Sequence, residues 1–340
     1  MDDQPAPPDG PLVDIPLIDI GGGGSAVLAD HEPGRFQDII ENGLSHYGPL
    51  ALRIGDRLSR AWLERGGNPY RDEIAAVAEA AGRPGAYLLN MSYEWTCTSG
   101  AGPDPAGPGC RLLRTLDWPL TGLGRNLVVA RRTGSAGDYL DITWPGFVGV
   151  VTAVAPGRFA AAINQPPMRR WTRSCWADWA INRVRVGRRR ALPPPHLLRR
   201  VFDEARDFDE ARAMLSETPI AVPVFFTLAG LEPDQACVIE RQEDQAASHD
   251  GPSAISNHWL AFTTAGRARG IDSQDRLAVM RQVRDRAQGN FDWVRPPILN
   301  PTTRLACEAN AATGLLRLVG LEADGRATQT FEMPAAAAVS

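Results

Sequence analysis

Strand-type segments in this chain come in runs and helical segments in blocks, and the two do not alternate one for one. Short β-type stretches follow one another at 127–130, 139–144, 148–154 and 159–163. Residues 170–218 then read as helix, with Asp207 or Asp209 as a cap. Stretches 221–228 and 236–240 flank a turn at 230–233 in the manner of a hairpin, and 256–263 reads as a further strand. A helix is expected over 273–288, capped by Asp272 or Ser273, and a last strand pair over 303–307 and 314–320. A doubly wound parallel sheet needs strict βαβ alternation, which is absent. The order instead predicts an α+β fold in which helices sandwich two antiparallel sheets.

Ahead of the strands, 35–45 and 71–82 read as helices. The second opens after Asn68-Pro69, carries Ile74, Val77 and Ala81 at helical spacing, and closes at Gly82. The ends, 1–12 and 334–340, read as disordered. With 340 residues, 44% of them hydrophobic, the chain has ample material for a sizeable core.

Composition removes several kinds of chemistry. All 36 basic residues are Arg, so lysine Schiff bases, pyridoxal enzymes and a P-loop lysine are excluded. A formal charge of -4 gives no global reason to expect nucleic acid as a partner. The run Gly21 to Gly24 lacks the strand–GxGxxG–helix setting of a dinucleotide site. Cysteines 97, 110, 175, 237 and 307 are scattered and form no CxxC pair, which argues against a disulfide framework and structural zinc. No cofactor and no metal are expected. A signal-peptide pattern is not visible, and no apolar run reaches transmembrane length. A reducing cytoplasm fits this composition, and self-association is left open.

What remains is a thiol with charged company. Cys97 lies in Tyr93-Glu94-Trp95-Thr96-Cys97-Thr98-Ser99, and Arg114-Thr115-Leu116-Asp117-Trp118 follows. A cation can lower a thiol pKa, and a carboxylate can hold a second charged group in place. Each residue also has a plainer reading. The other four cysteines are ordinary buried hydrophobes. Arg114 and Asp117 could be a surface ion pair, and Asn164 could simply end a strand before Pro166-Pro167. Asn257 sits among apolar residues, where a buried amide needs partners. On a strand its neighbour His258 would face the other way, which makes His258 structural. Trp171, Trp176 and Trp179 share roughly one helix face. They are read as core or a subunit contact, with the wall of an acyl groove as the alternative. The Arg-rich run 184–190 is read as a solvated face.

In this order, these segments resemble the acid ceramidase and N-acylethanolamine acid amidase branch of the N-terminal-nucleophile hydrolases, a superfamily that includes the choloylglycine (bile-salt) hydrolases. Four segments carry the resemblance: the Cys97 segment, Arg114 to Trp118, the strand pair 219–241 with Val238-Ile239-Glu240-Arg241, and Ser256-Asn257-His258-Trp259. It implies a four-layer αββα sandwich in one structural domain. Residues 1–96 would form an N-terminal helical segment, a separate subunit or propeptide, and 97–340 the catalytic core. It further implies a cysteine amidohydrolase of linear, non-peptide N-acyl amides, activated by self-cleavage between Thr96 and Cys97, so that the freed amine of Cys97 becomes its own base. Arg114 would favour the thiolate and Asp117 would accept from the amine. The Asn257 side chain and the Asn164 backbone N–H would form the oxyanion hole, and Arg276, preferred over Arg304, would lock the arrangement. An acyltransferase of the same fold and a non-catalytic fatty-amide-binding protein are the alternatives.

Overall fold

A computed structural model of the protein describes residues 11–92 and 95–333. Of the ends expected to be disordered, 1–10 and 334–340 lie outside the described residues, as do Tyr93 and Glu94 of the segment before Cys97. Strand β1 (Leu17–Gly21) is followed by helices α1 (Ser25–His31), α2 (Pro33–Tyr47), α3 (Pro49–Gly66), α4 (Arg71–Ala81) and α5 (Ala86–Met91). Proline opens α2 and α3, where its missing N–H costs nothing. Gly67 and Gly82 close α3 and α4 in the left-handed conformation at φ 61° and 62°. The two helices expected from spacing both form; α1, α3 and α5 are additional.

The chain then runs through β2 (Thr96–Pro103), β3 (Cys110–Asp117), β4 (Val128–Gly134), β5 (Gly137–Thr143), β6 (Thr152–Ala155), β7 (Phe159–Asn164) and the short β8 (Met168–Arg169). Helices α6 (Cys175–Arg188), α7 (Pro194–Glu204) and α8 (Phe208–Glu217) follow. The Asp207 carboxylate caps α8, as expected, accepting from the Glu210 N–H at 2.9 Å. After them come β9 (Val224–Ala229), β10 (Ala236–Arg241), β11 (Ala246–Asp250), β12 (Ser253–Ile255), β13 (Gly266–Arg267) and α9 (Ser273–Val283). The last strands are β14 (Thr303–Asn310), β15 (Leu315–Glu322), β16 (Gly325–Arg326) and β17 (Phe331–Met333). No helix among the described residues is long and apolar enough to cross a membrane.

Two sheets result. The eight-stranded sheet has the order β1-β4-β5-β6-β7-β9-β10-β11 and is antiparallel except at its edge, where β1 runs parallel to β4. The seven-stranded sheet has the order β12-β2-β3-β14-β15-β16, with β17 beside β15. Strands β2, β3 and β14 face β7 and β9 across one shared apolar core. Helices α7 and α8 cover the outside of the larger sheet, and α9 covers β2 and β12 on the smaller. This is the four-layer αββα sandwich. The N-terminal helices form a second apolar cluster around Phe36, Trp62, Ile74 and Tyr87 that includes Val148 and Ala221 of the core.

Three local readings need correction. Residues 148–151 are buried but not strand, because the Val150 N–H goes to Pro195 O at 3.0 Å and not to a neighbouring strand. The stretch 256–263 is an irregular loop; the strand there is β12, which ends at Ile255. Helix α9 ends at Val283, short of residue 288, and the Asp272 side chain makes no capping bond. Cys175, read as a buried hydrophobe with Cys110, Cys237 and Cys307, is exposed at the start of α6. The tryptophans do not pack in the core. Trp171, Trp176 and Trp179 are 42%, 82% and 47% exposed, with Arg185 and Arg183 guanidiniums 4.5 Å and 5.2 Å from the rings of Trp171 and Trp179.

The crossing from β3 to β4 is pinned where Gly124 lies against β15. A Cβ there would stand 1.9 Å from the Leu321 carbonyl oxygen, a backbone atom that cannot swing aside. Gly124→Ala is therefore expected to cost about 1–3 kcal/mol, read as a lower urea midpoint at unchanged m-value.

Candidate active site around Cys97

The register of β2 and β3 builds the centre of the site. Cys97 pairs with Leu116, and Ser99 with Arg114. Arg114 is thus the diagonal neighbour of Cys97 on one face of the sheet, within reach of a long side chain. Its Nη2 donates to Cys97 Sγ at 3.2 Å and to Ile163 O at 3.1 Å. Arg114 Nε and Nη1 are buried and find no partner among the described residues. Cys97 is fully buried, and burial pushes its thiol up to about 11 against the opposing pull of Arg114. The net direction is the reverse of the one expected from an adjacent cation, because desolvation of a thiolate outweighs one guanidinium.

Arg276, on the first turn of α9, reaches the same strand from the other side. It is fully buried. Its Nη1 donates to Cys97 O at 2.9 Å and Thr98 Oγ1 at 2.7 Å, with Asp117 Oδ2 at 3.4 Å; its Nη2 donates to Asn257 Oδ1 at 2.7 Å. The turn before α9 fits closely: Gly270 has φ +69°, and a Cβ there would come within 2.8 Å of Arg276 Nη2 and 3.0 Å of Thr96 Oγ1. Arg304 is also buried, but it donates to Leu120 O and lies 3.6 Å from Glu322. Of the two late arginines, Arg276 is the one at Cys97.

Asp117 is 1% exposed and accepts from Asn300 Nδ2 at 3.0 Å and Thr303 Oγ1 at 2.8 Å. Burial raises its pKa and Arg276 opposes the rise. Asn257 Oδ1 accepts from the Cys97 N–H at 3.1 Å, and its Nδ2 donates to Gln165 O at 2.7 Å. Asn164 is anchored by its side chain, which donates to Ile255 O and Ser256 O and accepts from Ser99 Oγ at 3.0 Å. All six residues singled out from the sequence, Cys97, Arg114, Asp117, Asn164, Asn257 and Arg276, thus form one buried hydrogen-bonded cluster. His258 turns instead to Ser273 Oγ, 2.8 Å from its Nδ1.

Several members of the cluster were not anticipated. Thr98 and Ser99 flank the thiol and face opposite ways, one to Arg276 and the other to Asn164 and Thr227. The alternation of a strand around Cys97 was enough to suggest them. Asn300 and Thr303 carry no local signal: a pairing of β3 with β14 across almost two hundred residues brings them to Asp117.

An apolar cleft opens beside Trp118, the residue after Asp117. It lies between Phe36, Ile39 and Leu89 of the N-terminal helices and Trp118, Trp144 and Phe147 of the core. Trp95, two residues before Cys97, packs edge-on against Trp118 with ring centroids 5.3 Å apart.

Two facing sheets thus place a buried cysteine near the start of an inner strand, ringed by Arg114, Arg276, Asp117 and Asn257. No protein-family model matches the chain. It is related in sequence to the N-acylethanolamine acid amidases and acid ceramidases. It is 27% identical to the N-acylethanolamine-hydrolyzing acid amidase of Oryctolagus cuniculus over 274 residues, 72% of this chain and 74% of that protein. It is 26% identical to the acid ceramidase of Mus musculus over 201 residues, 53% of this chain and 49% of that one. The chain thus spans about half to three quarters of the length of these relatives. Among solved structures, the Caenorhabditis elegans N-acylethanolamine-hydrolyzing acid amidase ortholog aligns with a TM-score of 0.49 at 18% identity, over 70% of this chain and 100% of that one.

Burial makes this cluster costly to break. Asp117→Ala leaves the Arg276 guanidinium in the interior without its carboxylate and is expected to destabilise the fold by about 3–5 kcal/mol. Glu64→Ala removes only the exposed partner of Arg60 and is expected to cost at most about 0.5 kcal/mol in the same unfolding measurement.

Proposed function

We propose that this protein is a cysteine amidase of linear N-acyl amides and that it activates itself by cutting between Thr96 and Cys97. The observation that carries the reading is the surroundings of Cys97. Its Sγ takes a hydrogen bond from Arg114, its N–H is aimed at Asn257, its carbonyl is held by Arg276, and no histidine is part of the ring. A thiol with a pKa of about 11 and no adjacent base is a poor nucleophile for outside substrates.

Self-cleavage supplies the missing base. Sγ attacks the Thr96 carbonyl carbon, the Thr96–Cys97 C–N bond breaks, and the proton passes to the departing nitrogen. Water then hydrolyses the thioester, leaving a Thr96 carboxylate and a free Cys97 thiol with an α-amine. That amine, with an ordinary pKa of about 8, takes the thiol proton during attack on substrate and passes it to the leaving amine. Arg114 stabilises the thiolate through Nη2, which already donates to Cys97 Sγ at 3.2 Å. Asp117 orients the amine. Asn257 Nδ2, whose second hydrogen remains after the bond to Gln165, and the Asn164 backbone N–H stabilise the oxyanion, a donor worth about 3–4 kcal/mol of barrier.

The apolar cleft beside Trp118 favours an apolar acyl group over a polar one. Residues 1–96 remain bound after the cut as one of two chains of a single domain. Their attachment runs through the β1–β4 pairing, the Ser25 Oγ to Phe147 O bond at 2.7 Å and the Asn90 Nδ2 to Gly146 O bond at 2.9 Å. The free thiol suits a reducing compartment such as the cytoplasm.

Mass spectrometry of purified protein is expected to show two chains, 1–96 and 97–340, while Cys97→Ala stays whole and inactive. An intact wild-type chain that turns over N-acyl amides would show that self-cleavage is not the activation route.

A further inference from the structure

Asn257 is held at Cys97 by a loop that has no ladder of its own. From 256 to 263 the backbone pairs with no strand, so its N–H groups find other acceptors. The Asn257 N–H goes to Ser273 Oγ at 2.9 Å. Three and four residues on, the Leu260 and Ala261 N–H groups donate to Glu240 Oε2 at 3.0 Å and Oε1 at 2.8 Å. Glu240 is fully buried on β10, and its Oε1 also meets His249 Nε2 of the edge strand β11 at 2.5 Å. One carboxylate therefore takes two backbone donors and an imidazole, each bond strengthened by the charge. Trp259, between the two anchor points, lies edge-on to Phe225, the residue opposite Glu240 in the sheet.

We infer that Glu240 is a positioning residue for the reaction at Cys97. It fastens the far side of the 256–261 loop to the eight-stranded sheet, so that the Asn257 side chain stays within hydrogen-bond reach of Cys97 on the facing sheet. Glu240 acts through the loop backbone and not on Cys97 directly. A misplacement of about 1 Å at a reacting centre can cost a hundredfold in rate, and without Glu240 the Leu260 and Ala261 N–H groups lose their carboxylate, leaving the polar anchors of the loop at Ser273, Gln165 and Arg276 on its near side. The inference rests on the amidase reading given above.

The test compares wild type, Glu240→Ala, Glu240→Gln and His249→Ala. It reads thermal unfolding, the extent of self-cleavage by mass, and kcat and KM on a fluorogenic N-acyl amide. In folded Glu240→Ala, kcat is expected to fall about tenfold to a hundredfold with KM changed by less than about twofold, and self-cleavage to slow in parallel. Glu240→Gln keeps one carbonyl acceptor and should recover part of kcat. His249→Ala leaves both backbone bonds and should lose less than Glu240→Ala. If Glu240→Ala does not fold, Glu240→Gln carries the test through a kcat below wild type at unchanged KM. A folded Glu240→Gln with wild-type kcat, or a loss confined to KM, overturns the role of Glu240. A wild type that neither cuts itself nor hydrolyses the amide overturns the reading beneath it, a result that no Glu240 variant can produce.

Discussion

The guanidinium of Arg276 is the fixed point of this structure. It joins the strand that carries Cys97, the carboxylate of Asp117, the side chain of Asn257 and the helix α9 outside the sheet. These elements are far apart in sequence. Arginine suits the position because its planar fork places several donors at set angles and keeps its charge when buried. The Gly270 turn follows from the same requirement: a side chain there would collide with the guanidinium.

Burial, against the local charge balance, keeps the proton on the Cys97 thiol. Two buried guanidiniums, Arg114 and Arg276, meet one carboxylate, Asp117, near a neutral thiol. A thiolate would complete the balance, yet burial holds the proton in place. On the proposed reading, a cut before Cys97 would add an amine that can take the proton. Trp95 packs on Trp118, which lines the apolar cleft.

Much of this was legible in the sequence. The runs of strands, the hairpin of β9 and β10 and the closing pair β14 and β15 followed from alternation and turn residues. Cys97, Arg114, Asp117 and Asn257 were legible in the segments that carry the resemblance, Asn164 and Arg276 only as what it implied, and the structure places all six close together. What failed did so for local reasons. The stretch 256–263 has the aromatic and alternating look of a strand, but Glu240 and Ser273 side chains take the donors that a ladder would use. Arg304 and Arg276 are both buried arginines, and the packing of α9 on β2 is what puts Arg276, the one preferred from the sequence, at Cys97. The Trp171, Trp176 and Trp179 face reads as core by composition, yet arginines rather than apolar neighbours cover two of its rings. The direction of the Cys97 shift needed the depth of burial, which no motif reports.

The central claim is that Cys97, while internal, reacts only with its own chain and meets outside reagents once it is a chain end. Brief iodoacetamide labelling of a partly processed sample tests it in one spectrum, because whole chain and 97–340 fragment are present together. The account predicts a Cys97 adduct on the fragment and none on the whole chain at the same exposure. Equal labelling of Cys97 in both, or labelling of the whole chain alone, would contradict it.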